Sequence, residues 1–210
     1  CAMEYIRSEE KDLGSTPFSI GIWVGGDNTP NRRQDAIDTL NALNRGDRHT
    51  ANKFIVTQCP WCGAQMGPIE QRSGRRRSIY VAGYERQGNT VIFRCPETAC
   101  AFRQQLPIFM TDEDIYEVKP SFLIGTVDKF AMLAWQPDAR ALFGIDKEGK
   151  RENPPPSLII QDELHLISGP LGSMVGLYET GIEELCTDRS TGQAVRPKIV
   201  SSTATIRRYA

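Results

Sequence analysis

Four cysteines constrain this chain more tightly than any other feature. Cys59-Pro60-Trp61-Cys62-Gly63 and Cys95-Pro96-Glu97-Thr98-Ala99-Cys100 carry the spacings C-x2-C and C-x4-C, and each follows a strand-like run, Lys53 to Gln58 and Val91 to Arg94. Two strand-then-knuckle units bring four thiolates to the corners of a tetrahedron, the geometry Zn²⁺ prefers. Four sulfur ligands fill that sphere, so the expected ion is structural: it folds the segment and keeps no open position for chemistry. Paired disulfides are the weaker reading. The amino terminus C-A-M-E-Y-I-R-S-E-E has neither an initiator Met nor the profile of a secretory signal, which points to a piece of a longer protein in a reducing, cytoplasmic compartment. A redox C-x-x-C would not need the second pair. Cys1 and Cys186 have no partner in spacing and read as ordinary buried small residues.

The cysteine pairs mark out an insertion over residues 53–105. Between them, Gln71-Arg72-Ser73-Gly74-Arg75-Arg76-Arg77-Ser78 leads into Ile79-Tyr80-Val81, and further turns at Gly83 and Gln87-Gly88-Asn89 make the insert hairpin-rich. Arg72, Arg75, Arg76 and Arg77, with Tyr80 and Tyr84 close by, would grip a nucleic-acid backbone and offer stacking surfaces. A solvated loop whose arginines keep the insert in solution is the competing reading. The local patch has to carry that argument, because the chain's net charge is only −1.

The flanks, residues 1–52 and 106–210, have an α/β pattern. Residues 1–13 read as the last turns of a helix. Phe18 to Val24 alternates like a strand and ends in Gly25-Gly26, where exposed N–H groups would meet a phosphate backbone, as would Arg32 and Arg33; a plain turn is the alternative. Ala36, Ile37, Leu40 and Leu43 have helical spacing, predicting a helix with Thr29 as its cap, Pro30 at its first position and Gly46 past its end. After the insert, Leu106 to Met110 is apolar, Thr111-Asp112-Glu113-Asp114 opens a helix, and Ser121 to Gly125 reads as a buried strand. Thr126 would cap the next helix and leave a hydroxyl, N–H groups and Lys129 near a strand's carboxyl edge; simple capping explains the pentad equally.

The stretch Ser157 to Leu166, S-L-I-I-Q-D-E-L-H-L, begins with branched residues suited to a strand buried on both faces, after Asn153-Pro154-Pro155-Pro156 stops any helix. Asp162 and Glu163 then sit at the carboxyl end of a parallel strand, the edge where open α/β sheets bind ligands. One carboxylate there can hold Mg²⁺ and its neighbour can orient or deprotonate an attacking water; a strand running into an acidic turn fits the same residues. Gly144 to Arg151 nearly matches the phosphate loop G-x-x-x-x-G-K-[ST], but Arg151 supplies no hydroxyl and the triple proline forbids the following helix, so a charged surface loop is expected. A helix is predicted around Val175, Tyr178, Ile182 and Leu185. Arg189 to Pro197 is a polar loop, and Lys198 to Ser202 a last strand running into Thr203-Ala204-Thr205.

In this order the pieces resemble the first RecA-like domain of superfamily 2 helicases with a DEAD or DEAH box. Asp162-Glu163-Leu164-His165 is similar to the box, with Leu in place of the usual Ala. Thr203-Ala204-Thr205 is similar to the Ser-Ala-Thr motif, Gly25-Gly26 to the glycine doublet, and Thr126-Val127-Asp128-Lys129 to the Thr-Pro-Gly-Arg motif. F-S-I-G-I-W-V-G-G, F-L-I-G-T-V-D-K-F, Q-D-E-L-H-L-I-S-G-P-L-G and S-S-T-A-T-I-R-R resemble, more closely still, the helicase subunits of DISARM antiphage defence systems.

The resemblance implies a partial RecA-like parallel sheet of the phosphate-loop NTPase type, interrupted by a zinc ribbon, in an ATP-driven DNA helicase or translocase that works beside a partner defence subunit. Asp162 would hold Mg²⁺, Glu163 would activate water, and His165, Thr203 and Thr205 would couple hydrolysis to movement. Gly25, Gly26, Thr126 and Lys129 would touch the nucleic-acid backbone. The phosphate loop and the second RecA-like domain are missing from these 210 residues, so this stretch alone is expected to hydrolyse no ATP. The rival is a non-enzymatic zinc-ribbon module that binds nucleic acid. No apolar run approaches the ~20 residues of a membrane span.

Overall fold

The computed structural model describes residues 1–47, 49–73, 76–163 and 172–202, the backbone alone at 11, 72–73, 76–77 and 172–175. It is a mixed α/β chain of two compact units, 1–129 and 130–210.

In the first unit a short helix, α1 (Ala2–Glu9), precedes a three-stranded parallel sheet of order β6–β1–β7, built from β1 (Ile20–Trp23), β6 (Ile108–Phe109) and β7 (Phe122–Gly125). Ile20 of β1 stands in register with Ile108 on one side and Phe122 on the other. Parallel neighbours require crossovers. The first is α2 (Arg33–Asn44) together with the whole insert, and the second is α3 (Asp112–Val118). Gly21 sets how closely β1 can be covered: a Cβ there would lie 2.7 Å from Pro120 Cγ and 2.9 Å from Leu123 Cδ1.

Helix α3 starts where its sequence asks, with Thr111 accepting from the Asp114 N–H at 3.3 Å. Helix α2 starts later than its periodicity suggests. Thr29 is fully buried, and the Asn31 carbonyl accepts from Asp112 N–H at 2.8 Å, so the loop is tied to α3 and helical dihedrals begin only at Arg33. Its end is as expected, with Gly46 at φ 71°.

The insert is two antiparallel ribbons, β2 (Gly67–Ser73) with β3 (Arg76–Ala82) and β4 (Tyr84–Gln87) with β5 (Thr90–Phe93). The run Lys53 to Gln58 forms no strand and joins only one bridge, Gln58 to Gln65. Its backbone finds other partners: Tyr84 Oη lies 2.9 Å from the Val56 carbonyl and 3.2 Å from that of Phe54, and Phe54 N–H donates to Asn52 Oδ1. Tyr84, expected to offer a stacking surface, is buried against Phe54 and Phe93, with ring centroids 4.8 and 5.5 Å away. An aromatic ring at the centre of so small a core is worth more buried than presented, about 2 kcal/mol of transfer free energy.

One core joins insert and flank. Ala36, Ile37, Leu40 and Leu43 of α2 pack with Phe54, Tyr84, Phe93 and Phe102 of the insert and with Leu106 and Ile108 beyond it. Asp114 fastens the same junction. Nearly buried, it accepts from Arg33 Nε at 2.8 Å, Thr90 Oγ1 at 2.5 Å and Thr111 Oγ1 at 2.6 Å, so α2, β5 and α3 share one carboxylate.

The second unit pairs β8 (Leu158–Gln161) in parallel with β9 (Lys198–Ser201), with α5 (Gly172–Cys186) between them in sequence. Leu158 and Ile160 are 50% and 56% exposed. The run that reads as buried on both faces is covered on one face only among the described residues. Residues 139–143 fall in a 3₁₀ segment, Pro137–Phe143, and not in a strand. The near-match to a phosphate loop folds back on itself through an Ile145–Arg151 bridge, and Gly144 at φ 72° packs where a Cβ would meet the Asn153 carbonyl oxygen at 2.2 Å. It forms no cradle.

Candidate functional site

The insert's two knuckles converge. Cys59, Cys62, Cys95 and Cys100 place their sulfurs within 4.8 Å of one another, with Cys59 to Cys100 at 3.9 Å and Cys62 to Cys95 at 3.4 Å. Bonds of about 2.3 Å to tetrahedral corners put sulfurs about 3.8 Å apart, so the cage fits Zn²⁺. Local backbone turns make it: Gly63 N–H donates to the Cys59 carbonyl at 2.9 Å, Cys59 N–H to Ala64 at 2.8 Å, and Cys95 N–H to Phe102 at 3.0 Å. Gly63, at φ 77°, takes the left-handed turn that the first knuckle requires. Burial pushes the Cys95 and Cys100 thiols up, whereas the N–H of Ala64 and then the neighbouring Cys95 thiol pull exposed Cys62 down. Trp61, within the first knuckle, lies edge-on to Phe102 at 5.6 Å and against Tyr5 of α1 at 4.6 Å. Cys186, outside the cage, is buried, with its thiol pushed up to about 11.

A second constellation surrounds the carboxyl end of β1. Gly25 and Gly26 are partly exposed, and neither has positive φ, so neither is there for its dihedral freedom. A Cβ added at Gly25 would meet nothing within 4 Å. Gly26 is held at both ends: its carbonyl accepts from Lys53 Nζ at 2.8 Å, and with the Asn31 amide oriented by its donors, oxygen toward them, its N–H donates to that oxygen at 3.2 Å. Thr126 is exposed at the end of β7, just before α4 (Val127–Ala131), with its N–H 3.4 Å from the Trp23 carbonyl.

Lys129 sits differently from those three. It is 2% exposed, with Nζ at 2.8 and 2.9 Å from the two Asp112 oxygens, 3.3 Å from the Asn31 oxygen and 5.7 Å from the Trp23 ring centroid. Asp112 and Asn31 were not among the expected site residues. The signal for them is chemical: a lysine taken out of water requires a carboxylate, and Asp112 in the acidic first turn of α3 is placed to supply it.

The third site is the carboxyl end of β8. Asp162 and Glu163 are exposed; Ser202 Oγ donates to Asp162 Oδ1 in a short bond and Glu163 N–H donates to the same oxygen at 3.0 Å. These two donors, Ser202 first, hold the Asp162 carboxyl below the usual range. Glu163 has φ 55°, a left-handed conformation that costs a residue with a Cβ about 1 kcal/mol. Behind the pair, Gln161 links β9 to α5, accepting from Ser201 Oγ at 2.8 Å and donating to Glu179 at 2.7 Å. His165, Thr203 and Thr205 lie outside the described residues, as does Arg75; Arg72, Arg76 and Arg77 are described by backbone alone, in β2 and β3. Among the described residues no helix is long and apolar enough to cross a membrane.

No protein-family model matches the chain. It is 36% identical over 236 aligned residues to the DISARM protein DrmA of Bacillus paralicheniformis, in an alignment that covers 98% of the chain and 20% of that protein. The chain thus spans about a fifth of the length of the curated relative it matches. Identity at that level along nearly all of the chain makes the two related in sequence.

Proposed function

We propose that these residues belong to an ATP-dependent DNA translocase or helicase of antiphage defence, and that they form part of a RecA-like domain interrupted by a zinc ribbon. The sequence relationship to a DISARM protein supports the defence setting. The observation that carries the chemistry is Asp162, an exposed carboxylate held ionised by Ser202 at the carboxyl end of a parallel strand.

In this reading Asp162 holds Mg²⁺, which when bound neutralises charge on the nucleotide phosphates. Glu163, next to it, orients or deprotonates the attacking water. His165, Thr203 and Thr205 pass the change to the nucleic-acid side. There Gly25, Gly26 and Thr126 offer a slim, partly exposed edge to a phosphate backbone, and Lys129, with Asp112 and Asn31, keeps that edge in shape from beneath. None of the six cysteines forms a disulfide, which suits a reducing compartment.

The test is Glu163→Gln in the full-length protein. DNA-stimulated ATP hydrolysis should fall at least a hundredfold while zinc content is unchanged; hydrolysis at the wild-type rate would leave a non-enzymatic zinc-ribbon module that binds nucleic acid as the better reading, one the cysteine cage and its basic ribbon also support.

A further inference from the structure

The β2–β3 ribbon has a register that composition does not disclose. Arg72 stands directly opposite Arg77, Ser73 opposite Arg76, Gln71 opposite Ser78, Glu70 opposite Ile79 and Ile69 opposite Tyr80. No carboxylate occupies the position opposed to any of these three arginines. Like charges directly opposite across a strand pair are destabilising, and a two-stranded ribbon is marginal by itself. The register puts one carboxylate on the face of Arg72 and Arg77, that of Glu70, two residues before Arg72 and diagonal to Arg77, and a single carboxylate offsets at most one of the two charges, so an anion laid against the pair would relieve the rest. The lone acidic residue between Gly67 and Ala82 is Glu70, against four arginines, in a chain whose overall charge is −1.

The two ends of the ribbon differ. At its base Gly67 and Ala82 are buried, and β3 packs on α2. Further out Glu70, Gln71 and Ser78 are exposed, with Ile79 at 37% and Tyr80 at 48%. Seven residues per strand span roughly 23 Å at about 3.3 Å each. A rooted two-stranded ribbon is one of the two shapes admitted by the B-DNA major groove, which is about 12 Å wide and 8.5 Å deep.

Resting on the nucleic-acid part of the reading above, we infer that the β2–β3 ribbon enters the major groove of duplex DNA, with Arg72, Arg76 and Arg77 neutralising phosphates along it. The burial of Tyr84 decides between duplex and single strand. Single-strand surfaces stack successive bases on several aromatic rings, and this ribbon exposes Tyr80 alone.

The probes are a labelled 20-base-pair duplex and the matching single strand, their binding to the full-length protein followed by fluorescence anisotropy across a salt series without nucleotide. The triple variant Arg72→Gln, Arg76→Gln, Arg77→Gln should bind the duplex at least tenfold more weakly, with the salt slope shallower by about three, close to one per arginine. Its zinc content should be unchanged and its melting temperature equal or higher, since the opposed pair is relieved. Should the triple variant lose zinc, Arg72→Gln and Arg77→Gln made singly carry the test, each reducing the slope by about one. Duplex binding and slope unaltered in these variants would overturn the ribbon's role and leave the motor reading intact. Loss confined to the single strand and matched by Tyr80→Ala would overturn the duplex assignment. A wild-type protein that binds neither probe would remove the nucleic-acid reading itself.

Discussion

The cysteine-bearing insert and the acidic strand end are both built from short strands, but they are held in different ways. In the insert, Phe54 and Phe93 are at most 2% exposed, the Asp114 carboxylate of α3 ties β5 to Arg33 of α2, and four sulfurs converge. At β8–β9 the alternate residues Leu158 and Ile160 are at least half exposed, and Ile199 and Val200 little less. What secures Asp162 is hydrogen bonding to Ser202 and the Glu163 N–H. The contrast teaches that stability and candidate chemistry are separated here: the well-buried insert would hold a metal that does no chemistry, and the candidate hydrolytic carboxylates follow a strand whose apolar residues are half exposed.

The largest effect should come from the cage. Removing one ligand with Cys95→Ser should abolish stoichiometric zinc and collapse the insert, because the free energy of binding a structural zinc, roughly 10–16 kcal/mol at pH 7, is folding free energy. Metal analysis and loss of dispersed NMR signals from residues 53–105 would show it, and full zinc content with native signals would break the comparison. Acid should act in the same direction. The ligands bind as thiolates, and burial raises the Cys95 and Cys100 thiols, so protons compete with the metal and zinc retention should fall as pH is lowered below neutrality. A colorimetric zinc-release titration reads this directly.

An intermediate effect is expected at Asp114. Changing it to Ala leaves Arg33, itself about a fifth exposed, without its buried partner and removes acceptors from Thr90 and Thr111, a loss of about 3 kcal/mol in urea unfolding. A loss under about 1 kcal/mol would mean that the insert and α2 are less interdependent than their shared core indicates. The smallest effect belongs to the other side of the comparison. Leu158→Ser, on a half-exposed strand position, should cost less than about 1 kcal/mol, and a larger loss would show β8 to be covered after all.

Local chemistry was readable from the sequence, and shared burial was not. Cys59, Cys62, Cys95 and Cys100 could be paired by spacing because two knuckles fix their own geometry within a few residues. Gly46 and Thr111 announced helix ends for the same reason: the groups they satisfy are neighbours in the chain. Thr29 misled because the Asn31 carbonyl is taken by Asp112, some eighty residues on, and no local pattern reports that. Tyr84 and Lys129 were read by residue type as groups facing a ligand, whereas each is buried against partners distant in sequence, Val56 for one and Asp112 for the other. Leu158 and Ile160 show the converse, apolar residues whose pattern suits burial on both faces and which the described residues cover on one.

The core that α2 shares with the insert has a consequence in terms of mass action. A ligand that binds only the folded form stabilises it by RT ln(1 + [L]/Kd), and the stabilisation reaches every element whose burial depends on that fold. Ala36, Ile37, Leu40 and Leu43 lean on Phe54, Phe93 and Phe102, and Lys53, where the insert begins, fastens the Gly26 carbonyl. Were the cage to hold zinc, the free metal concentration in the surrounding medium would be a variable on which the order of α2 and of the turn at Gly26 depends, though neither contributes one of the four sulfurs.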